Sequence, residues 1–188
     1  DFAAGRLQAR YAQGTADIDL AHVPQPRRDV LRLQRYLPVP VVLASRGCPN
    51  TCSFCAIPVL WGRRFHHRPV QAVIDELRSL GSKTVLFIDP ALAEDEAYAR
   101  ELLTAMIPLG LRWAGLTTVT MALNPALLDL ACRSGCMGLL VGFETLSQRN
   151  LQAIGKRFNL AHRYLEAVRA MHARHIRVLG TFVFGLDS

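Results

Sequence analysis

Three cysteines, Cys48, Cys52 and Cys55, lie within eight residues of one another in the stretch SRGCPNTCSFCAIP. Thiolates gathered on one loop are typical ligands of iron–sulfur clusters, zinc and copper. A structural zinc site or a closed cluster takes four protein ligands, and no fourth cysteine follows nearby. Three ligands on a four-iron cluster would leave one iron open to a small molecule, and such a cluster could act as a catalytic centre.

Zinc is the main alternative for these thiols, and it would make the chain a zinc-stabilised binding module. A zinc site could add His66 or His67, which follow Cys55 by about a dozen residues. That gap and the Cys-x3-Cys-x2-Cys spacing differ from the paired-cysteine layouts of zinc fingers. Five cysteines is an odd number, and the clustering of three of them favours metal binding in a reducing compartment over a disulfide scaffold.

The composition of the chain limits the classes of protein to which it can belong. The chain has 188 residues, 51% hydrophobic and 20% charged, which suits one globular domain. The net charge of +7 is spread along the sequence, so we interpret it as solvated helix faces and do not expect nucleic acid as a partner. No apolar run reaches the ~18 residues of a membrane helix and no signal-peptide pattern opens the chain, so we predict a cytoplasmic protein without a transmembrane segment.

The elements that must position the cysteines follow a regular alternation. Short apolar runs predict five buried strands, at 39–45, 84–89, 111–120, 137–144 and 176–185. Amphipathic stretches between and after them predict helices at 69–81, 93–110, 125–135, 148–155 and 160–175. Asn124 and Ser147 are the expected N-caps of two of these helices. The cysteines follow the tip of the first strand.

Strict alternation of strands and helices predicts an α/β fold with parallel strands joined by right-handed crossovers. A complete eight-fold barrel needs about 250 residues, so we expect a partial (β/α) barrel of about five βα units with its last strands missing. Residues 1–38 contain a Pro- and Arg-rich stretch that reads as a linker or N-terminal arm, and 39–188 form the barrel core. We expect both ends to have been cut from a longer chain.

At the cysteines the sequence resembles the radical S-adenosylmethionine superfamily. The signature of that superfamily, Cys-x3-Cys-x-aromatic-Cys after the first barrel strand, is matched by Cys48, Cys52, Phe54 and Cys55. The stretches GLLVGFETLS, GKRFN and GTFVFGLDS are similar to the branch that usually carries an N-terminal cobalamin-binding domain. The resemblance implies that the three cysteines hold a [4Fe-4S] cluster and that the fourth iron binds S-adenosylmethionine. Reductive cleavage then yields a 5′-deoxyadenosyl radical.

Four further residues are candidates for binding the cofactor. Phe54 is an aromatic wall beside the third thiolate, and Asp89 ends the second strand, where the superfamily receives the ammonium group of S-adenosylmethionine. A helix-capping role for Asp89 is an equal alternative. Glu144, at the tip of the fourth strand, could accept both ribose hydroxyls. Gly185 could let the backbone approach the adenine. We predict no catalytic residue beyond the cluster ligands.

The resemblance implies methylation of an unactivated carbon, with cobalamin held by a domain outside these residues; a radical rearrangement or cyclisation is the other reaction class that the branch suggests. The expected partners are a small-molecule substrate and an electron donor such as flavodoxin or ferredoxin. A methylthiotransferase acting on RNA or protein is an alternative, but it would need a second set of three cysteines and an RNA-binding tail, which these residues lack.

Two other groups carry no predicted chemistry. Lys156 and Arg157 could meet a carboxylate or phosphate, although a solvated loop is the simpler interpretation. Cys132 and Cys136 are interpreted as small hydrophobic residues, not as part of a second cluster.

Overall fold

The computed structural model describes residues 3–8, 19–31 and 35–186. These residues contain seven strands: β1 (Val41–Val42), β2 (Ser45–Arg46), β3 (His66–His67), β4 (Thr84–Phe87), β5 (Arg112–Thr117), β6 (Cys136–Glu144) and β7 (Arg177–Phe182). Five of them form one parallel sheet in the order β1–β4–β5–β6–β7. This order follows the chain, as in a (β/α) barrel, and β1 and β7 are its two edges. The predicted partial barrel is confirmed.

The helices of the described residues alternate with the strands of this sheet. They are α1 (Ile57–Trp61), α2 (Val70–Ser79), α3 (Glu96–Met106), α4 (Val119–Ala122), α5 (Pro125–Arg133), α6 (Gln148–Ala153) and α7 (Tyr164–His172). The two predicted N-caps are confirmed: Asn124 accepts a hydrogen bond from the Leu127 N–H at 3.1 Å, and Ser147 accepts one from the Asn150 N–H at 3.3 Å. Such caps satisfy backbone donors that the first helical turn leaves free.

The core lies between the sheet and its helices. Along β5, burial alternates: Trp113 and Thr117 are buried, while Ala114 and Leu116 are only half-buried. Because successive side chains of a strand point to opposite faces, the helices cover one face and the other face is more open. The rings of Phe87 and Trp113, both fully buried, pack edge to face at 5.7 Å between centroids.

Four of the five predicted strands are shorter than the apolar runs that predicted them, and two of these differences change the local structure. The strand predicted at 39–45 extends only over β1, and Val41 is exposed, so the prediction of burial on both faces is wrong there. Ser45–Arg46 instead pairs with His66–His67 in a separate antiparallel hairpin. The strand predicted at 111–120 ends at Thr117, because Val119 and Thr120 begin the short helix α4.

An N-terminal segment, residues 19–31, packs beside the edge strand β1. Leu20 is buried, and Arg28 donates to the Val41 carbonyl oxygen at 2.8 Å and to Glu76 Oε1 at 2.6 Å. Arg68 donates to the other Glu76 oxygen at 2.5 Å. The predicted arm at 1–38 is described only where it falls within 3–8, 19–31 and 35–38. Among the described residues, no helix is both long enough and apolar enough to cross a membrane.

Candidate functional site

The predicted site residues gather at one end of the sheet. The cysteine loop follows β2, Asp89 comes two residues after β4, Glu144 is the last residue of β6, and Gly185 comes three residues after β7. The carboxyl ends of parallel strands meet at the same edge, which is where barrels and open α/β sheets bind ligands. The topology therefore brings these residues to one rim.

The three cysteines are free thiols on the loop between β2 and α1, and each is half-buried. Burial raises the pKa of Cys48 and Cys52, and the negative charge of Cys55 adds to the rise at both, so the three thiols lie close enough to influence one another. Asn50 forms hydrogen bonds to Cys48 through its backbone and its side chain, and these bonds oppose the rise. The loop thus already places donors at a thiol sulfur.

The turn after α6 holds the cysteine loop in place. The Ser53 N–H donates to the Ile154 carbonyl oxygen at 2.9 Å. Gly155 has φ +75°, and a Cβ at this position would lie only 2.8 Å from the Thr51 carbonyl oxygen. The backbones of the cysteine loop and of this turn are therefore in direct contact, and the sequence pattern did not predict this contact.

Glu144 and Lys156 form a buried ion pair beside this turn. The Lys156 Nζ lies 2.6 Å from Glu144 Oε1, and the side chains are 7% and 8% exposed. The Lys156 charge lowers the pKa of Cys52 and the Glu144 charge raises it, which places the pair near that thiol. The interpretation of Lys156 as a solvated loop residue is wrong, because its ammonium group is buried against a carboxylate.

The tip of β6 is irregular, and this irregularity sets the direction of Glu144. The register between β6 and β7 shifts between Gly142 and Glu144, and Glu144 has φ +65°. A non-glycine residue in this region is strained and persists only where its surroundings hold it. A Cβ on Gly142 would lie 2.5 Å from the Lys156 Nζ, so a larger residue there would displace the ion pair from its present position.

Asn159 and Tyr164 hold the backbone at this irregular tip. Asn159 is fully buried and its Nδ2 donates to the Gly142 carbonyl oxygen at 2.9 Å. The Tyr164 hydroxyl donates to the Phe143 carbonyl oxygen at 2.8 Å. The stretch GKRFN therefore supplies two supports for Glu144, the cation Lys156 and the amide Asn159. Arg157, in the same stretch, is exposed.

Glu94 is a candidate site residue that the sequence reasoning missed. It accepts hydrogen bonds from Asn50 Nδ2 at 3.3 Å, from Thr120 Oγ1 at 3.2 Å and from Thr118 Oγ1. Its charge also raises the pKa of Cys48. The acidic run at 94–96 suggests the first turn of a helix, but α3 begins at Glu96 with Asp95 as its cap, which leaves Glu94 in the loop. Asp95 alone is enough to cap α3, so an additional acidic residue before it, Glu94, was the feature of the sequence that could have indicated another role.

Asp89 is fully buried and turns towards the base of the cysteine loop. Its carboxylate accepts hydrogen bonds from the Ala44 N–H at 3.0 Å, the Ser45 N–H at 2.5 Å and the Ser45 hydroxyl at 2.6 Å. Burial raises the pKa of Asp89, and these bonds oppose the rise. The helix-capping alternative is wrong, because Asp95 caps α3 through the Tyr98 N–H. In this geometry Asp89 fixes the chain that leads into the cysteines.

The remaining candidates lie at the surface or outside the rim. Phe54 is 49% exposed, and Gly185 is exposed with φ +80°. His67, a candidate zinc ligand, stacks on Tyr98 with 4.2 Å between ring centroids. Cys132 is exposed and Cys136 is buried at the other end of the sheet, as the first residue of β6.

A family model described as "Radical SAM superfamily" matches residues 42–187. The chain belongs to this superfamily. Members of the radical SAM superfamily use a [4Fe-4S] cluster and S-adenosylmethionine, and the match includes the cysteine loop and every rim residue described above. The family predicted from the cysteine spacing is confirmed.

Relatives within the radical SAM superfamily include named methyltransferases. The chain is 35% identical over 161 residues to bacteriochlorophyllide d C-12(1)-methyltransferase of Chlorobaculum tepidum, covering 82% of this chain and 35% of that protein. It is 28% identical over 181 residues to hopanoid C-2 methylase of Rhodopseudomonas palustris, covering 91% of this chain and 34% of that protein. The chain therefore spans about a third of the length of these curated relatives.

A solved radical SAM structure shares the fold. The methyltransferase TsrM from Kitasatospora setae, described with cobalamin and a [4Fe-4S] cluster bound, superposes with a TM-score of 0.74 at 23% identity, covering 79% of this chain and 31% of that chain. At this identity the likeness shows the fold alone.

The residues of the loop fit the cluster that radical SAM proteins use. Within residues 3–8, 19–31 and 35–186, no three His, Cys, Asp or Glu side chains converge to hold a single metal ion. Each cysteine of a cluster binds a different iron, so its thiolates do not have to meet at one atom. Three half-buried thiols on one loop, with Cys48 already hydrogen-bonded by Asn50, can therefore bind three separate irons of one cluster.

Proposed function

We propose that this chain is the catalytic core of a radical S-adenosylmethionine enzyme that methylates an unactivated carbon with the help of cobalamin. The observation that carries the proposal is the loop of three thiols packed against the α6 turn and the buried Glu144–Lys156 pair. Cys48, Cys52 and Cys55 would hold the [4Fe-4S] cluster. When bound, the cluster and S-adenosylmethionine supply a 5′-deoxyadenosyl radical to the reaction.

The residues of the rim would bind and orient S-adenosylmethionine. Glu144 uses Oε1 for Lys156. Its Oε2 accepts a long 3.5 Å hydrogen bond from the Thr181 hydroxyl and is the oxygen proposed to accept from the ribose. We assign the ammonium group of S-adenosylmethionine to Glu94 beside the loop. The contact that the sequence predicts for Asp89 is not proposed, because its carboxylate is fully buried and already accepts hydrogen bonds from Ala44 and Ser45. Phe54 and Gly185 are proposed to contact the adenosine part.

The methyl transfer is proposed from the relatives. Both curated relatives described above are named as enzymes that methylate, and the TsrM methyltransferase is described with cobalamin bound. We propose that cobalamin binds outside the 188 residues of this chain, which span only part of the related proteins. The substrate is proposed to be a small molecule, and the electron donor a flavodoxin or ferredoxin. The clustered cysteines support a location in the reducing cytoplasm.

The test is the variant Cys52→Ala, with Cys132→Ala as the matched control because Cys132 is an exposed thiol outside the loop. After anaerobic reconstitution with iron and sulfide, we expect Cys52→Ala to lose the visible absorbance of the cluster, the bound iron and the reductive release of 5′-deoxyadenosine. Cys132→Ala should keep all three. Full iron content and full 5′-deoxyadenosine yield in Cys52→Ala would overturn the proposal.

A further inference from the structure

Lys156 follows directly after the segment that holds the cysteine loop by its backbone. The Ser53 N–H donates to the Ile154 carbonyl oxygen at 2.9 Å. Gly155 approaches the carbonyl oxygen of the residue before Cys52 so closely that a Cβ there would lie 2.8 Å from it. These two contacts involve the residues on either side of Cys52. The backbone therefore brings Lys156 to the part of the loop that carries this thiol.

The ammonium group of Lys156 is held in one position and shielded from water. Its Nζ lies 2.6 Å from Glu144 Oε1 and 5.7 Å from the centroid of the Phe158 ring. Gly142 approaches it from β6, where a Cβ would come within 2.5 Å of the nitrogen. Only 7% of the Lys156 side chain is exposed, and buried charges are screened much less by salt than exposed ones. A fixed cation with a strong local field therefore lies beside the loop.

The two charges of the Glu144–Lys156 pair act unequally on Cys52. Burial has the largest influence on the pKa of this thiol and raises it. The Lys156 charge lowers the same pKa, and the Glu144 charge raises it by less. Because a Coulomb interaction weakens with distance, the ammonium is the nearer of the two charges to the sulfur. The pair therefore turns its positive end towards Cys52 and does not cancel there.

We propose that the buried charge of Lys156 raises the reduction potential of the cluster held by Cys48, Cys52 and Cys55. The inference rests on the proposed function, because it needs a [4Fe-4S] cluster on these thiols. The potential of such a cluster depends on its charge, on hydrogen bonds to its sulfurs and on solvent exposure. Lys156 binds no iron in this role and acts through its field alone.

The step that this charge favours is the addition of one electron to the cluster. A low-potential reductant, such as reduced flavodoxin or dithionite, loses the electron and the cluster gains it. No bond forms or breaks, and no proton moves. Three thiolates already give the oxidised cluster a net negative charge, and reduction adds to it. A nearby cation stabilises the more negative form more strongly, so it makes reduction easier.

The test measures the cluster potential of full-length variants reconstituted with iron and sulfide, without S-adenosylmethionine. Lys156→Met removes the charge and Lys156→Arg keeps it. Arg157→Met is the matched control, because Arg157 is the next residue and is exposed. The reduced cluster is followed by electron paramagnetic resonance during a dye-mediated redox titration. Because S-adenosylmethionine is absent, any contact of Lys156 with that cofactor cannot affect the result.

We expect Lys156→Met to lower the ratio of reduced to oxidised cluster roughly tenfold at a fixed applied potential. For a one-electron couple this is a shift of about 59 mV to more negative potential. Lys156→Arg should restore the potential, since it keeps the positive charge. Arg157→Met should leave the potential unchanged, because water and salt screen an exposed charge.

A double variant separates the effect of the charge from the stability of the fold. Lys156→Met alone leaves the Glu144 carboxylate buried and unpaired, whereas Glu144→Gln with Lys156→Met removes both charges. Because the ammonium is the nearer charge to Cys52, the double variant should still have a more negative potential than the unaltered chain. All variants are compared at equal iron content, so the comparison does not depend on the amount of cluster bound.

The outcomes distinguish this proposal from the proposed function. Cys52→Ala tests whether the loop binds a cluster at all, and the Lys156 variants test only its potential. An unchanged potential in Lys156→Met and in the double variant, or an equal shift in Arg157→Met, would overturn the charge effect and leave the proposed function intact. Loss of the cluster from both Met variants would also overturn it, because Lys156 would then hold the loop and not set the potential.

Discussion

At the scale of single residues, the Glu144–Lys156 ion pair matters most, because its two buried charges affect the stability of the fold. Two opposite charges are almost fully buried at 2.6 Å, and Glu144 also holds an unfavourable positive φ. A buried charge without its partner carries a large desolvation cost, whereas the removal of both charges is often tolerated. Lys156 therefore offsets the cost of burying the Glu144 carboxylate at the end of β6, near Cys52.

We predict that Lys156→Met lowers the free energy of unfolding by about 3 kcal/mol, because it leaves the Glu144 carboxylate buried and unpaired. The double variant Glu144→Gln with Lys156→Met should recover most of that loss. Urea unfolding followed by circular dichroism measures both values. A Lys156→Met variant as stable as the unaltered chain would show that the two charges do not depend on each other.

The sequence predicted some of these residues and not others for a physical reason. Cys48, Cys52 and Cys55 are close in sequence, and their spacing alone implies a shared ligand. Lys156 is twelve residues from Glu144, and its burial depends on how the chain returns after α6, which no local pattern encodes. From the sequence alone, a lysine between a glycine and an arginine is most simply interpreted as a solvated loop residue. Only the fold shows that Glu144 lies beside it.

At the scale of elements, the turn at the end of α6 acts as a brace for the cysteine loop. The bond from the Ser53 N–H to the Ile154 carbonyl oxygen joins the two segments, and Gly155 lets their backbones approach. The loop has no regular secondary structure of its own from Gly47 to Cys55, so its shape depends on such contacts. The position of the three thiols is thus set partly by a segment about a hundred residues later in the chain.

We predict that Gly155→Ala reduces the iron that the chain binds after reconstitution, because the new Cβ would push against the Thr51 carbonyl oxygen. Gly81→Ala is the matched control: Gly81 has φ +61°, but a Cβ there would meet nothing within 4 Å. Both variants should lose about 1 kcal/mol of stability from the left-handed backbone alone. Iron analysis and visible absorbance should distinguish them, and an equal iron content in the two variants would contradict the brace.

Elements with strong local signals were predicted well, and those without them were not. The caps Asn124 and Ser147 are determined by neighbouring residues, and both are confirmed. The β2–β3 hairpin has only two residues in each strand, too few to show a period of two, and it was missed. The sequence pattern extends a strand into α4 because the β-branched residues Val119 and Thr120 favour strands until the chain turns.

At the scale of the whole molecule, the N-terminal segment and the barrel are joined by a buried carboxylate. Glu76 lies on α2 and pairs with Arg28 of the segment and with Arg68. The same arginines donate to the Val41 and Leu43 carbonyl oxygens, and so they satisfy acceptors in the edge strand β1 and directly after it. The Pro- and Arg-rich stretch predicted a linker or an arm, but its role in covering an edge depends on partners about fifty residues away.

We predict that Arg28→Met lowers the free energy of unfolding by about 2 kcal/mol, because it removes charge-assisted hydrogen bonds to a buried carboxylate and to an edge carbonyl. Arg27→Met is the matched control. Arg27 is the neighbour of Arg28 and forms an ion pair with Asp29, both largely exposed, and such pairs add little to stability. Arg28→Met should also speed the amide hydrogen exchange of Leu86 and Ile88, whose N–H groups donate to Pro40 and Val42 of the edge segment. If the two variants unfold at the same urea concentration and exchange alike, Arg28 does not hold this edge.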